Sequence, residues 1–396
     1  MEIEIGRGKK ARRAYGFDDV AIVPSRRTRD PDDVDISWTL GPYRFELPLL
    51  ASAMDGVVSP QTAALTNKLG GLGVLNLEGI FTRYEDAEEQ LERIAQLPPD
   101  QATAEMQRIY SAPIQEDLIA QRVREIKEQG VVCAASLTPQ RVTRHFETAL
   151  EAGLDILVIQ GTVISAEHVS TTSEPLNLKE FIREVPVPVI VGGCASYSTG
   201  LHLMRTGAVA VLVGVGPGAA CTTRGVLGIG VPQATAIADV QAARSQHMLE
   251  TGEYVNVIAD GGMRNGGDVA KAFACGADAV MIGSPLARAY EAPGRGFHWG
   301  MATFHPSLPR GARVKTTQND TLEQIMLGPA HENDGTFNLM GSLRTSMATC
   351  GYEDIPSFHR AEVMVAPALQ TEGKHLQREQ GVGMGARGQA ATVGEV

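Results

Sequence analysis

The sequence predicts a (β/α)₈ barrel with its chemistry gathered at one face, and three observations predict it. Eight short runs rich in Val, Ile and Leu are nearly continuous in apolar residues, longer amphipathic stretches separate them, and several runs end in Gly, Ser or Asp. The runs cover residues 47–54, 72–76, 131–136, 156–160, 187–192, 210–214, 256–260 and 279–283. A strand buried on both faces reads as apolar throughout, whereas one with a wet face alternates. Strands alternating with helical patterns, such as 138–152 and 232–251, are the mark of βαβ units. In this fold the C-terminal ends of the strands carry the active site.

The 396 residues fit one catalytic domain over 1–370 with two long excursions. Residues 84–128 read as a short helical insertion, broken at Pro98 and Pro99. Residues 295–338, rich in Gly, Pro and Thr, read as a flap, because a long irregular loop in a compact enzyme tends to be a lid. The stretch 371–396 is poor in apolar residues and reads as a disordered tail.

Hydrophobic residues make up 43% of the chain and charged residues 20%, enough for a sizeable core. The net charge of −11 argues against nucleic-acid binding, which draws its affinity from phosphate neutralisation. The dense basic run Lys9, Lys10, Arg12 and Arg13 reads as a solvated N-terminal arm. Cys133, Cys194, Cys221, Cys275 and Cys350 show no CxxC spacing, which disfavours zinc and disulfides and suits a reducing cytoplasm. The opening MEIEIGRGKK lacks the apolar core of a secretory signal, and no apolar stretch approaches the ~20 residues that span a bilayer, so no membrane partner is expected.

The most informative segment is VGVGPGAACTTRGVLGIGVPQ over 213–233. Gly214, Gly216 and Gly218 free the backbone to turn tightly near a ligand, and Cys221 follows, flanked by Thr222, Thr223 and Arg224. A thiol in that setting is a candidate nucleophile, while the other four cysteines read as small buried residues. VIADGGMRN at 257–265 and ADAVMIGSP at 277–285 fall at strands 7 and 8, whose loops commonly bind phosphate. Gly262, Gly283 and Ser284 are candidate donors there, and Asp260 is a candidate acceptor for both hydroxyls of a ribose.

The runs GPGAACTTR with GIGVPQ, ADGGMRNGGDVAKAFACGADAVMIGSPLA, FDDVAIVPS, LPLLASAMDGV and MGSLRTSMATCGY closely resemble the IMP dehydrogenase and GMP reductase family, in order from about residue 15 to 365. The resemblance implies that Cys221 adds to C2 of the purine with Thr223 beside it, and that hydride passes between the adduct and a nicotinamide cofactor. It implies that Asp260 binds the ribose, that Gly262, Gly283 and Ser284 serve the phosphate, and that Ser52, Met54, Gly218, Gly300 and Met301 bind the nucleotide substrate. Carbonyls of Gly216, Gly218 and Cys221 match a site for a monovalent cation, K⁺, and Gln160, Gly161 and Thr162 fall where the family meets NAD. A homotetramer or higher homo-oligomer is the implied assembly.

The sequence departs from the family in four places. The 84–128 insertion is too short for the CBS regulatory domains that the usual dehydrogenase carries. Gln160 replaces the aspartate that contacts the nicotinamide ribose, and Ala219 replaces a serine that often donates to phosphate. No Arg-Tyr dipeptide, which activates water in the dehydrogenases, occurs in 295–338, leaving Arg310 and Arg313 as candidates. The leading expectation is an IMP dehydrogenase forming XMP with NAD. The alternatives are a GMP reductase using NADPH, and a non-catalytic purine-nucleotide-binding regulator.

Overall fold

A computed structural model describes residues 2–171, 175–368, 372–381 and 383. Its centre is a closed barrel of eight parallel strands: β1 Leu49–Ala51, β2 Leu72–Asn76, β3 Ala134–Leu137, β4 Ile156–Gln160, β5 Val189–Cys194, β6 Ala210–Val213, β7 Asn256–Asp260 and β8 Ala279–Ile282. Closure occurs where β8 pairs with β1, with Val280 opposite Leu49 and Met281 opposite Leu50. Side chains alternate between two cores with the two-residue period of a strand. Leu50, Leu72, Val74, Ile156, Val158, Ile190, Leu212, Ile258 and Met281 fill the barrel interior. Leu49, Leu75, Leu157, Val191, Val211 and Val257 face the surrounding helices. Both sets are shut off from water, which is why the strands read as unbroken apolar runs.

A hairpin of Trp38–Leu40 and Tyr43–Phe45 joins the interior cluster and closes the barrel at the N-terminal ends of its strands. The Trp38 indole N–H donates to the Leu47 carbonyl at 2.9 Å, and Asn256 donates to the Thr39 carbonyl at 3.1 Å just where β7 begins.

The outer layer comprises α1 Pro60–Lys68, α4 Glu116–Lys127, α5 Val142–Glu151, α6 Leu178–Glu184, α7 Tyr197–Met204, α9 Gln233–Thr251, α10 Gly266–Ala274 and α12 Leu339–Thr349. Side-chain caps start several of these. Ser59 accepts the Thr62 N–H, Ser196 that of Thr199 and Asn265 that of Asp268; each such cap is worth about 1 kcal/mol. No described helix is long and apolar enough to cross a membrane.

The two long excursions have internal structure. Within 84–128 the last helix, α4, packs between α1 and α5 and is the barrel's own helix, so the added material is only α2 Ala87–Gln96 and α3 Pro99–Tyr110. The flap is more ordered than its composition suggests: Phe297–His298 pairs antiparallel with Val314–Lys315, and α11 Leu322–Leu327 follows. Strand bounds also shift, because an apolar run begins before the first paired residue; the expected 131–136 and 187–192 are strands at Ala134–Leu137 and Val189–Cys194, starting later and ending one or two residues further on. Of the expected disordered tail, residues 371, 382 and 384–396 lie outside the described residues, while His375–Glu379 is a short helix.

The inserted helices are joined to the flap. Tyr110, at the end of α3, donates its hydroxyl to Asp55 Oδ2 at 2.5 Å and accepts the Trp299 indole N–H at 2.6 Å. The ring of Tyr110 stacks on Phe304 with centroids 4.4 Å apart. Gln107 donates to the His305 carbonyl at 2.8 Å, Arg295 pairs with Glu88 and Glu92 of α2, and Arg313 donates to the carbonyls of Ile94 and Leu97 where α2 ends. Burial pushes the Asp55 carboxyl up, and its bonds from Tyr110 and from the Ile80 N–H oppose that shift. Tyr110→Phe removes one hydroxyl and leaves two buried groups short of a partner. A loss of about 1–3 kcal/mol in unfolding free energy is expected, with faster amide exchange across 297–304; exchange unchanged there would show that the flap does not depend on α3.

Candidate active site

The C-terminal ends of the strands enclose a cavity of about 490 Å³. Ser52 and Met54 after β1, residues 217–221 after β6, Asp260 to Arg264 at β7, Ile282 to Pro285 at β8, and His298, Gly300 and Val314 to Thr316 of the flap line it. Of the residues singled out in the sequence, Ser52, Met54, Gly218, Cys221, Asp260, Gly262, Gly283, Ser284 and Gly300 meet in this one cavity. Thr223, Met301, Gly216, Gln160, Gly161, Thr162, Arg310 and Arg313 do not line it.

Cys221 is half-buried, and its thiol donates to Thr223 Oγ1 at 3.1 Å. Thr223 is fully buried behind it at the first turn of α8 Thr223–Leu227. The loop is shaped by Gly216, whose φ of +82° most residues avoid. Its far side is sewn to the flap: the Thr222 N–H donates to the Arg310 carbonyl at 2.9 Å and the Ala312 N–H to the Ala220 carbonyl at 2.9 Å. Arg310 is thus fixed beside the cysteine loop through its backbone. Arg313 is committed elsewhere, to the end of α2 and to the face of Phe297, 4.4 Å from its guanidinium carbon to the ring centroid.

Gln233 staples the neighbouring strand ends, donating to the Val213 carbonyl at 2.6 Å and to the Asp260 carbonyl at 3.2 Å. That gives the GVPQ run a structural task. At β7, Gly261 and Gly262 have φ of +75° and +83°, and a Cβ on Gly262 would stand 3.0 Å from Pro217. A side chain on Gly283 would meet Met54 Sδ at 2.7 Å. These glycines leave bare backbone facing the cavity, as an anion requires.

The Gln160 side-chain amide donates to Asp260 Oδ2 at 3.2 Å, and its Oε1 is buried without a partner. Sequence reading placed Gln160 at the cofactor and did not anticipate this turn toward Asp260, 100 residues away. It also passed over Arg264, Arg288, His298 and Lys315, which line the cavity. The available signal was weak: two of the four lie on the irregular flap.

Burial pushes the Asp260 carboxyl up to about 7, and the bond from Gln160 opposes the rise. A carboxyl raised in the folded state favours the fold while protonated, and that contribution is lost as pH climbs from about 4 toward 7. Asp260→Asn, which cannot ionise, is therefore expected to melt at an increasingly higher temperature than the parent as pH rises from 5 to 8. A difference in melting temperature that stays flat across that range would contradict a raised Asp260.

The family model described as the IMP dehydrogenase / GMP reductase domain matches residues 14–375. An uncharacterized oxidoreductase of Mycolicibacterium smegmatis is 48% identical over 92% of this chain and 99% of its own length. The inosine-5'-monophosphate dehydrogenase of Borreliella burgdorferi is 31% identical over 81% of this chain and 83% of its own. A crystal structure of an IMP dehydrogenase/GMP reductase-like protein from Corynebacterium glutamicum superposes with a TM-score of 0.88 at 44% identity, covering 92% of this chain and 97% of that one. With the barrel closed, the cysteine loop and the two glycine turns on one cavity, and the match running through nearly the whole barrel, the chain belongs to the IMP dehydrogenase / GMP reductase family of oxidoreductases.

Proposed function

We propose that the protein oxidises IMP to XMP with NAD, through a covalent adduct at Cys221. The observation that carries this reading is the convergence of a thiol, a carboxylate and an anion cradle on one cavity: Cys221, Asp260, and Gly262 with Gly283 and Ser284. Those three chemistries match the base, the ribose diol and the phosphate of a purine nucleotide.

The Cys221 sulfur adds to C2 of the hypoxanthine, forming a C–S bond, and Thr223 holds the thiol in place from 3.1 Å. When bound, NAD supplies the acceptor for the hydride that leaves C2. Water then adds at C2, the C–S bond breaks, XMP departs, and the sulfur regains its proton. Splitting oxidation from hydrolysis in this way replaces one difficult step with two easier ones. Arg310, anchored beside the cysteine loop, is the flap arginine we assign to the water; Arg313 is held by α2.

Gln160 and Thr162 would hold the nicotinamide ribose, and the fit rests on Gln160 Oε1, a buried acceptor with no partner. Gly161 contributes little further, since its N–H is bonded to Gly192 and its carbonyl to Gly193. K⁺ fits the cysteine loop on the chemistry of its donors: among the described residues the carbonyls of Gly216 and Cys221 accept no hydrogen bond, although that of Gly218 accepts the Cys221 N–H at 3.0 Å. Neutral carbonyl oxygens suit a monovalent ion, which would hold the loop in its tight turn.

A second reading, GMP reductase, is favoured by the commitment of Arg313 to α2, since a reductase needs no arginine to activate water. Absorbance at 340 nm separates the readings: with K⁺ present, IMP and NAD are expected to give a rise. A fall with GMP and NADPH would assign the reductase instead, and silence in both would leave a nucleotide-binding regulator. Cys221→Ala is expected to lower turnover by on the order of 10⁴-fold or more, and full turnover in that variant would remove both enzyme readings.

A further inference from the structure

The basic run at the start of the chain is one strand of a hairpin. Glu2–Gly6 pairs antiparallel with Lys9–Arg12, with Ile3 opposite Ala11, Glu4 opposite Lys10 and Glu2 opposite Arg12. The hairpin is tied to the body at its stem. Both Nη atoms of Arg12 donate to the Asp239 carboxylate of α9, at 2.9 and 3.0 Å, and Tyr15 and Thr235 exchange two further bonds. Beyond the stem, among the described residues, the side-chain bonds run inside the hairpin, from the Gly8 N–H to Glu4 and from Lys10 to Glu2. Every residue from Glu2 to Lys10 is exposed. The segment precedes residue 14, where the family match begins.

Such a hairpin is incomplete alone. A lone two-stranded ribbon is marginal in water, and each outer edge leaves a row of backbone N–H and C=O groups unpaired. Its two faces also differ, because side chains alternate along a strand. Ile3 and Ile5, 40% and 67% exposed, stand on one face with Ala11, while Glu2, Glu4, Lys10 and Arg12 stand on the other. The charges divide by strand: the first carries Glu2 and Glu4, the second Lys9, Lys10 and Arg12. That division selects the neighbour. Edges meeting about a two-fold axis would set first strand against first, or second against second, and like charges opposite one another are destabilising. Set head to tail, the acidic strand of one copy lies along the basic strand of the next, and the pairing stays antiparallel.

We propose that the N-terminal hairpin joins copies of this chain into a closed ring: its acidic edge pairs with the basic edge of the next copy, and Ile3 and Ile5 are buried on the inner face of the sheet so formed. Closure leaves no edge open, whereas an unclosed head-to-tail series would grow into a fibre. The ring stands apart from the purine-nucleotide reading, and the failure of either leaves the other untouched.

Sedimentation velocity of the full-length protein over a range of concentrations tests it. The parent is expected to sediment as one closed oligomer. Ile3→Asp/Ile5→Asp and Glu2→Lys/Glu4→Lys are each expected to move the midpoint of dissociation about tenfold or more higher in concentration. The far-ultraviolet circular dichroism of the barrel is expected to stay as it is, since the hairpin stands clear of it. Adding Lys9→Glu/Lys10→Glu to the second variant exchanges the signs of the two strands and is expected to restore part of the assembly. An oligomer as stable in both variants as in the parent overturns the proposal. So does one lost only on Ile3→Asp/Ile5→Asp, which would mean stacked faces instead of paired edges. A monomeric parent overturns it as well, and pelleting of that monomer with phosphatidylglycerol vesicles would give the basic strand a lipid surface as its partner instead.

Discussion

The cysteine loop and the flap are sewn together by two backbone hydrogen bonds, from Thr222 N–H to the Arg310 carbonyl and from Ala312 N–H to the Ala220 carbonyl, both 2.9 Å. The rest of the site depends on that seam. The loop alone is a tight turn rich in glycine, with little apolar area to hold it, and so has many conformations to lose. The flap alone is two short strands, a few turns and one short helix. Joined, each supplies the other with backbone partners, and Cys221 is held facing the cavity that the flap closes. His298 and Gly300 line that cavity, and the hairpin's far end is tied down at residues 310–312.

The seam would be weak without support from behind, and the inserted helices give it. Trp299 and Phe304 on the flap pack and bond against Tyr110, which in turn holds Asp55, one residue beyond the Met54 that lines the cavity. Arg313 caps the end of α2 with two carbonyl bonds, and Arg295 pairs with two glutamates on the same helix. The two inserted helices serve as a back wall for the flap.

Much of this was legible in the chain. Strands β2, β4 and β7 were read to the residue, since each is buried on both faces and bounded by polar residues or glycine. Cys221, Asp260, Gly262, Gly283 and Ser284 were legible because the chemistry of each is local: glycines shape the turn next to the group they serve. The residues that escaped depend on partners far along the chain. Tyr110 lies 55 residues from Asp55 and 189 from Trp299, and nothing in the sequence of α3 marks one tyrosine as a bridge. The turn of Gln160 toward Asp260 spans 100 residues between two strands that are not neighbours in the barrel. His298 and Arg313 sit in a stretch without periodicity, so only the folded flap shows that one faces the cavity and the other faces α2.

The central claim is that Cys221 bonds covalently to the substrate in a cavity closed by the flap. Mass spectrometry of protein quenched in acid during turnover with IMP and NAD tests it most directly. The account predicts a nucleotide-sized mass increase carried by the peptide that contains Cys221, absent when IMP is omitted. Turnover with that peptide unmodified, or with the added mass on another cysteine, would contradict it.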